Sequence, residues 1–186
     1  MNEYEFTLKF AIPGDLDAEV LEARLFENGC DDALIGLGQQ SRLALSFSRE
    51  ASSADEAITS AIENVQAAVP QAQLVEADPD MVGLTEMARL FQFSRQNMRK
   101  LVQRYADSFP LPFHEGQQAL WHLAEVLEWF AGQGQRAVDP KLCEVARTSM
   151  ALNIGQEARR LGAKGKDPAV GLLDSEAVKD HRHSAT

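Results

Sequence analysis

VGLTEMARLFQFSRQNMRKLVQRYADSFPLPFHEGQQALWHLAEVLEWFA, residues 82–131, is the stretch on which the reading of this chain turns. Thr85 is a helix-capping residue type. Behind it, Met87, Ala88 and Leu90 have the spacing of an inward face, so a short helix is expected over 86–91. Gln92-Phe93 is a brief connection and Ser94 a second capping residue. Met98, Leu101, Val102 and Tyr105 then recur at i, i+3, i+4 and i+7, which predicts a helix over 95–105. Two short helices joined by such a turn form a helix-turn-helix, whose second helix is the element suited to a DNA major groove.

That apolar stripe also decides which side chains face solvent. With it turned inward, Gln96, Arg99, Lys100 and Gln103 point outward, and Arg95 and Asn97 flank them near the N-terminal end. Arginine can bond both acceptors of guanine, and glutamine or asparagine can pair with adenine in two-pronged fashion. Lys100 and Arg104, with the Ser94 hydroxyl and the helix N-terminal amides, suit phosphates better. A polar helix face that merely meets water has a similar composition. The capping pattern, the segment downstream and the lack of any acid on this helix before Asp107 favour DNA.

Downstream, Phe109-Pro110-Leu111-Pro112-Phe113 and Ala119-Leu120-Trp121 flank His114-Glu115-Gly116-Gln117-Gln118, predicting a small hairpin, or wing. A helix over 123–130 follows, with Leu123, Val126, Leu127 and Phe130 inward. His122, three residues before Glu125, reads as an imperfect cap without a catalytic or metal-binding partner. The succession Leu84-Thr85-Glu86-Met87-Ala88, Phe93-Ser94-Arg95-Gln96, Phe109-Pro110-Leu111-Pro112, Trp121 and Glu125 to Trp129 resembles a MerR-type winged helix-turn-helix. The compact form of excisionase and AlpA-like regulators is the most similar, over about fifty residues. This resemblance implies a partner in double-stranded DNA. Wings of that family are commonly basic, whereas this one has a carboxylate and no Lys or Arg, so the second helix is expected to dominate recognition.

Toward the N-terminus, Tyr4, Phe6, Leu8, Phe10 and Ile12 alternate as in a half-buried strand. Pro13-Gly14-Asp15 is a turn, Leu16, Val20, Leu21, Leu25 and Phe26 keep helical spacing, and Asn28-Gly29 closes that helix. A short strand from Ala33, a connection through Gly38-Gln39-Gln40-Ser41 and a strand bearing Leu43, Leu45 and Phe47 come next. Ser52 or Ser53 opens a helix with Ala57, Ile58, Ala61, Ile62, Val65 and Val69 inward, stopped by Pro70. Gln73 to Ala77 supplies a last strand. The order β-α-β-β-α-β predicts a ferredoxin-like domain over 1–78.

Gly36-Leu37-Gly38 lacks the third glycine and the following helix of a dinucleotide site, so a hairpin turn explains it. RNA-recognition modules share the element order but stack bases on aromatics of the open sheet face. Here that face would carry Glu5, Thr7, Lys9, Ala44, Ser46 and Ser48, which argues against RNA. Dimerisation, partner binding or ligand sensing remain as roles for this domain.

The net charge of −10 is unevenly placed. Residues 1–80 carry four basic against sixteen acidic side chains, a balance of −12; residues 81–131 are neutral, and residues 132–186 stand at +2. All five cations of the middle region, Arg89, Arg95, Arg99, Lys100 and Arg104, lie on the two motif helices. Fields near a binding face are local and screened, so the middle region, not the acidic one, is expected to meet DNA. Cys30 and Cys143 sit apart in apolar surroundings and read as reduced thiols. No apolar run approaches the roughly 20 residues of a membrane span, and the N-terminus is unlike a secretory signal. A cytoplasmic protein is expected.

Asp139-Pro140 opens a long C-terminal helix over 139–161, and residues 163–186 have the composition of a disordered tail. The expected class is therefore α+β: a ferredoxin-like domain over 1–78, a winged helix-turn-helix over 82–131, and the C-terminal helix. The expected function is a sequence-specific transcriptional regulator, most simply a dimeric repressor reading the groove through Ser94, Arg95, Gln96, Asn97, Arg99, Lys100, Gln103 and Arg104. Alternatives are an antitoxin-like autoregulator whose acidic domain holds a basic protein partner, an excisionase-like protein that bends DNA, and a metabolite-sensing regulator. No nucleophile–base pair, phosphate loop or carboxylate constellation suggests an enzyme, and no cofactor or metal site is expected.

Overall fold

The computed structural model describes residues 1–14, 16–36, 41–134 and 136–163. Its elements run β1 (Asn2–Ala11), α1 (Ala18–Glu27), β2 (Ala33–Gly36), β3 (Arg42–Ala51), α2 (Ala54–Ala68), β4 (Gln73–Asp78), β5 (Met81–Val82), α3 (Leu84–Leu90), α4 (Arg95–Arg104), β6 (Trp121–His122), α5 (Leu123–Gln133) and α6 (Pro140–Ala163). The chain is α+β. The 38–40 connection and the tail beyond Ala163 lie outside the described residues.

The first four strands form one antiparallel sheet in the order β2-β3-β1-β4. Strict alternation in β1 puts Tyr4, Phe6, Leu8 and Phe10 on one buried face, opposite Arg49, Phe47, Leu45 and Leu43 of β3. Leu21 and Leu25 of α1 and Ala57, Ile58, Ala61 and Val65 of α2 complete that core. The other sheet face carries Glu5, Thr7, Lys9, Ala44, Ser46 and Ser48, all exposed or half-buried.

Local chemistry sets the ends of these elements. Asp17 Oδ1 accepts from the Glu19 and Val20 amides, so α1 begins at Ala18, and Gly29 leaves it at φ +83°, a left-handed value that favours glycine. Ser53 is the residue that caps α2. Two inward assignments do not hold: Val20 and Phe26 are 45% and 68% exposed. The apolar stripe of α1 is wider than the strip of sheet beneath it, so its edges face solvent.

Arg49 is buried although it is charged. Its guanidinium bonds both oxygens of Asp32 at 2.7 and 2.9 Å, Asn64 Oδ1 at 2.9 Å, Ser60 Oγ at 3.1 Å and the Gly29 carbonyl at 2.7 Å. A buried charge persists only when paired and bonded in this way. This arginine therefore ties β3 to α2 and to the loop before β2, and adds little to the outer field.

A second core gathers Met87, Ala88, Phe91, Met98, Phe109, Trp121, Val126, Leu127, Trp129 and Phe130. Helix α6 belongs to both cores, with Val145 in the first and Ala146 in the second. Glu144, one residue earlier, accepts from the Tyr4 hydroxyl at 2.8 Å. Residues 1–153 form one compact unit and the end of α6 begins another.

The stretch after β4, which resembles a simple linker, is a buried joint. Asp80 is 1% exposed; its Oδ1 lies 2.7 Å from His122 Nδ1, and its Oδ2 accepts from Asn153 Nδ2 at 2.8 Å. The Asp80 carbonyl accepts from the Leu123 amide at 2.6 Å. Asn153 also bonds the Ala77 amide and carbonyl at 2.8 and 2.9 Å. His122 precedes α5 without capping it through its side chain; its ring serves this joint instead.

Replacing Asn153 strands the Ala77 amide and carbonyl and one Asp80 oxygen away from water. We expect Asn153→Ala to cost about 3 kcal/mol, read as a lower midpoint in urea unfolding. A change below about 0.5 kcal/mol, the range of ordinary surface substitutions, would show that the joint is not a constraint.

Candidate nucleic-acid interface

The helix pair α3–α4 forms where expected, with a shifted start. Gly83, not Thr85, precedes α3, and Glu86 Oε2 reaches back to the Gly83 amide at 3.1 Å. Half of a capping box thus comes from Glu86 alone, and Thr85 falls within the first turn. Met87 and Ala88 are buried, but Leu90 is 41% exposed and does not join the inward face. The reason is the stop: the chain leaves the helix at Phe91, and Phe91 takes the inward place by stacking on Phe130 with ring centroids 3.7 Å apart.

The turn is a complete Schellman motif. Phe93 N–H donates to the Ala88 carbonyl at 2.8 Å, Gln92 N–H donates to the Arg89 carbonyl at 3.2 Å, and Gln92 has φ +57°. Helix α4 then starts on Ser94, whose Oγ accepts from the Asn97 amide at 3.1 Å. Met98 is fully buried, and Leu101, Val102 and Tyr105 pack half-buried against the same core. Tyr105 follows the last helical residue and meets Trp129 edge-on at 5.3 Å. These contacts fix the rotation of α4 about its axis.

All eight residues singled out from the sequence are exposed: Ser94, Arg95, Gln96, Asn97, Arg99, Lys100, Gln103 and Arg104. Seven of them carry side-chain donors on one ten-residue helix that has no acid. Among the described residues none of these cations has an ion-pair partner. Arg104 lies over the Tyr105 ring at 5.6 Å. Arg136, which the sequence did not bring to attention, lies over the Phe93 ring at 4.7 Å and so adds a cation beside the turn. Its distance along the chain hid it; only the packing of the segment after α5 brings it there.

Residues 113–120 form a narrow hairpin. Phe113 N–H donates to the Leu120 carbonyl at 2.9 Å, and His114 and Leu120 form a bridge. The Trp121 indole N–H donates to the Pro110 carbonyl at 3.0 Å, which holds the proline-rich strip against the core. The strand continues into β6, which pairs with β5, Met81 opposite His122 and Val82 opposite Trp121. At the tip Glu115, Gly116, Gln117 and Gln118 are exposed. The tip offers hydrogen-bonding groups but no fixed positive charge, whereas α4 offers both.

Neither thiol contributes to this surface. Burial pushes the Cys30 thiol up to about 11, with the Asp32 and Asp31 carboxylates adding to the rise and Arg49 opposing it. Burial likewise raises Cys143. Comparison with family models, with curated proteins and with solved structures finds no match for this chain.

Two outcomes are expected from this geometry. Gln92→Gly removes a side chain from a left-handed position and should stabilise the protein by about 0.5–1 kcal/mol in thermal unfolding; a destabilisation would contradict the turn. The Cys30 thiol should react with iodoacetamide at pH 8 about a hundredfold or more slower than free cysteine. Mass spectrometry of intact and denatured protein reads the difference, and equal rates would contradict its burial.

Proposed function

We propose that the chain is a sequence-specific DNA-binding transcriptional regulator, most simply a dimeric repressor acting in the cytoplasm. In this reading residues 1–78 are a ferredoxin-like domain and residues 82–131 a winged helix-turn-helix. The sheet order and the α3–turn–α4–hairpin–α5 succession support those two assignments. The proposal gives the protein no catalytic role.

One observation carries it. The exposed face of α4 combines Arg, Lys, Gln and Asn side chains with no acid and no ion-pair partner among the described residues, on a helix held at both ends. Helices whose charges serve only solubility usually mix both signs and pair them at i, i+4. An unpaired cationic face instead gains by meeting phosphates, where it releases condensed counterions. Gln96, Asn97 and Gln103 supply two-pronged groups for adenine, Arg95 and Arg99 for guanine, and Lys100 and Arg104 reach the backbone.

A module of zero net charge binds one half-site weakly, so two copies are needed for a specific site. Ile154 and Leu161 on the end of α6 are 50% and 46% exposed, and their seven-residue spacing puts them on one helix face suited to a second copy.

The test is genome-wide occupancy of the tagged protein, followed by affinity for the recovered sites. Discrete palindromic promoter sites are expected; dispersed occupancy would overturn the repressor. Arg99→Ala with Lys100→Ala should weaken the site by about a hundredfold and flatten the salt dependence by about two phosphates' worth, with unfolding unchanged. Unaltered affinity would take α4 out of the groove.

A further inference from the structure

The free edge of the sheet beside α1 carries features that the DNA reading does not use. Strand β2 pairs only with β3 among the described residues. Ser48 N–H donates to the Asp32 carbonyl at 3.1 Å, so strand alternation turns the amides and carbonyls of Leu34 and Gly36 toward β3. Those of Ala33 and Ile35 therefore point outward. The Ala33 amide is taken by the Cys30 carbonyl at 3.3 Å; among the described residues the Ala33 carbonyl and both main-chain groups of Ile35 are left to the edge.

This edge is short, four residues, which itself limits pairing, but it lacks the chemical guards. Natural edge strands carry lysine, proline or a bulge to prevent pairing. Ala33-Leu34-Ile35-Gly36 has none of them, and Leu34 is 79% exposed. Beside it runs a cleft of about 420 Å³ between α1 and β2, lined by Ala23, Phe26, Cys30, Ala33 and Ile35. Phe26 stands 68% exposed at its wall.

The rim of the cleft has one sign. Glu22, Glu27 and Asp31 line it, all are exposed, and none has an ion-pair partner among the described residues. Asp32, their neighbour, is already satisfied by Arg49.

We propose that this edge and cleft dock an extended, basic segment of a partner protein, added as a fifth strand beside β2. Ile35 and Ala33 supply the main-chain bonds. Apolar side chains of the segment fill the cleft against Phe26, and its flanking Lys or Arg residues meet Glu22, Glu27 and Asp31. A second copy of this chain fits worse. Pairing β2 with its own copy around a twofold axis would bring two acidic rims to one seam, where like charges oppose each other. The proposal does not depend on DNA binding by α4.

The experiment uses the full chain and three labelled probes: a short peptide alternating lysine and valine, one alternating glutamate and valine, and the first with proline at its central valine. Fluorescence anisotropy should detect binding of the lysine–valine peptide alone. The variant Glu22→Gln, Glu27→Gln, Asp31→Asn should weaken it by about tenfold or more.

Phe26→Asp separates docking from simple charge attraction. It adds a negative charge at an exposed position, so unspecific attraction would strengthen, whereas a filled cleft would lose affinity by about tenfold. The Ile35 amide should gain protection from hydrogen exchange when the peptide is bound. Absence of binding, binding unchanged or strengthened by Phe26→Asp, or an Ile35 amide left unprotected would each overturn the proposal. So would a peptide-free dimer that Phe26→Asp dissociates, since the occupant would then be a second copy.

Discussion

The buried carboxylate of Asp80 is the constraint on which the arrangement of residues 1–153 depends. A carboxylate in a nearly dry position is tolerated only when both oxygens are occupied, and here His122 and Asn153 occupy them. Those partners come from the start of α5 and from α6, while Asp80 itself follows the last strand of the sheet. One side chain thus fixes three segments. The β5–β6 pairing begins at the next residue, so the chain enters the α3–α4 helix pair in a set direction. Segments joined in this manner do not behave as two bodies on a flexible tether.

Around that joint the apolar groups divide into two cores, and α6 is shared between them. Consecutive positions on a helix point about 100° apart, which lets Val145 enter the sheet core while Ala146 enters the aromatic core. Polar side chains on the same helix, Glu144 and Asn153, complete bonds to Tyr4 and to Ala77. Helix α6 is therefore structural over its first part, a role distinct from the pairing proposed for its end.

The strands were legible because alternation is a strong signal when one face is buried, and β1, β3 and α2 follow their expected faces. Ser94 was legible for an equally local reason, since a cap acts within three residues. What escaped was non-local. A two-residue strand such as β5 has no periodicity to read, and Asp80 and Asn153 are residue types that usually meet water, so their burial follows only from each other's presence. Periodicity also overstated α1: it identifies apolar positions but not how far the neighbouring sheet extends, which left Phe26 in solvent. Arg136 illustrates the same limit at the candidate interface, where a cation joins the turn through tertiary packing alone.

The separation of charge is sharper in three dimensions than along the chain. Of the four cations in residues 1–80, Arg49 pairs with Asp32 inside the fold and Lys9 with Glu76 at 2.9 Å. Each pair removes one charge of either sign, so the balance stays at −12 and two cations stand against fourteen acids outside those pairs. The cations of α4, by contrast, are all presented to solvent. Screening limits the reach of either field to roughly 8–10 Å at physiological salt, so a polyanion approaching α4 is governed by the cations near it rather than by the total of −10. Screening also limits what a single copy would gain. In the proposed DNA reading, with an acid-bearing hairpin and a handful of exposed cations, one copy would neutralise few phosphates, and sequence discrimination would have to come from the side chains of α4 acting in duplicate across two half-sites.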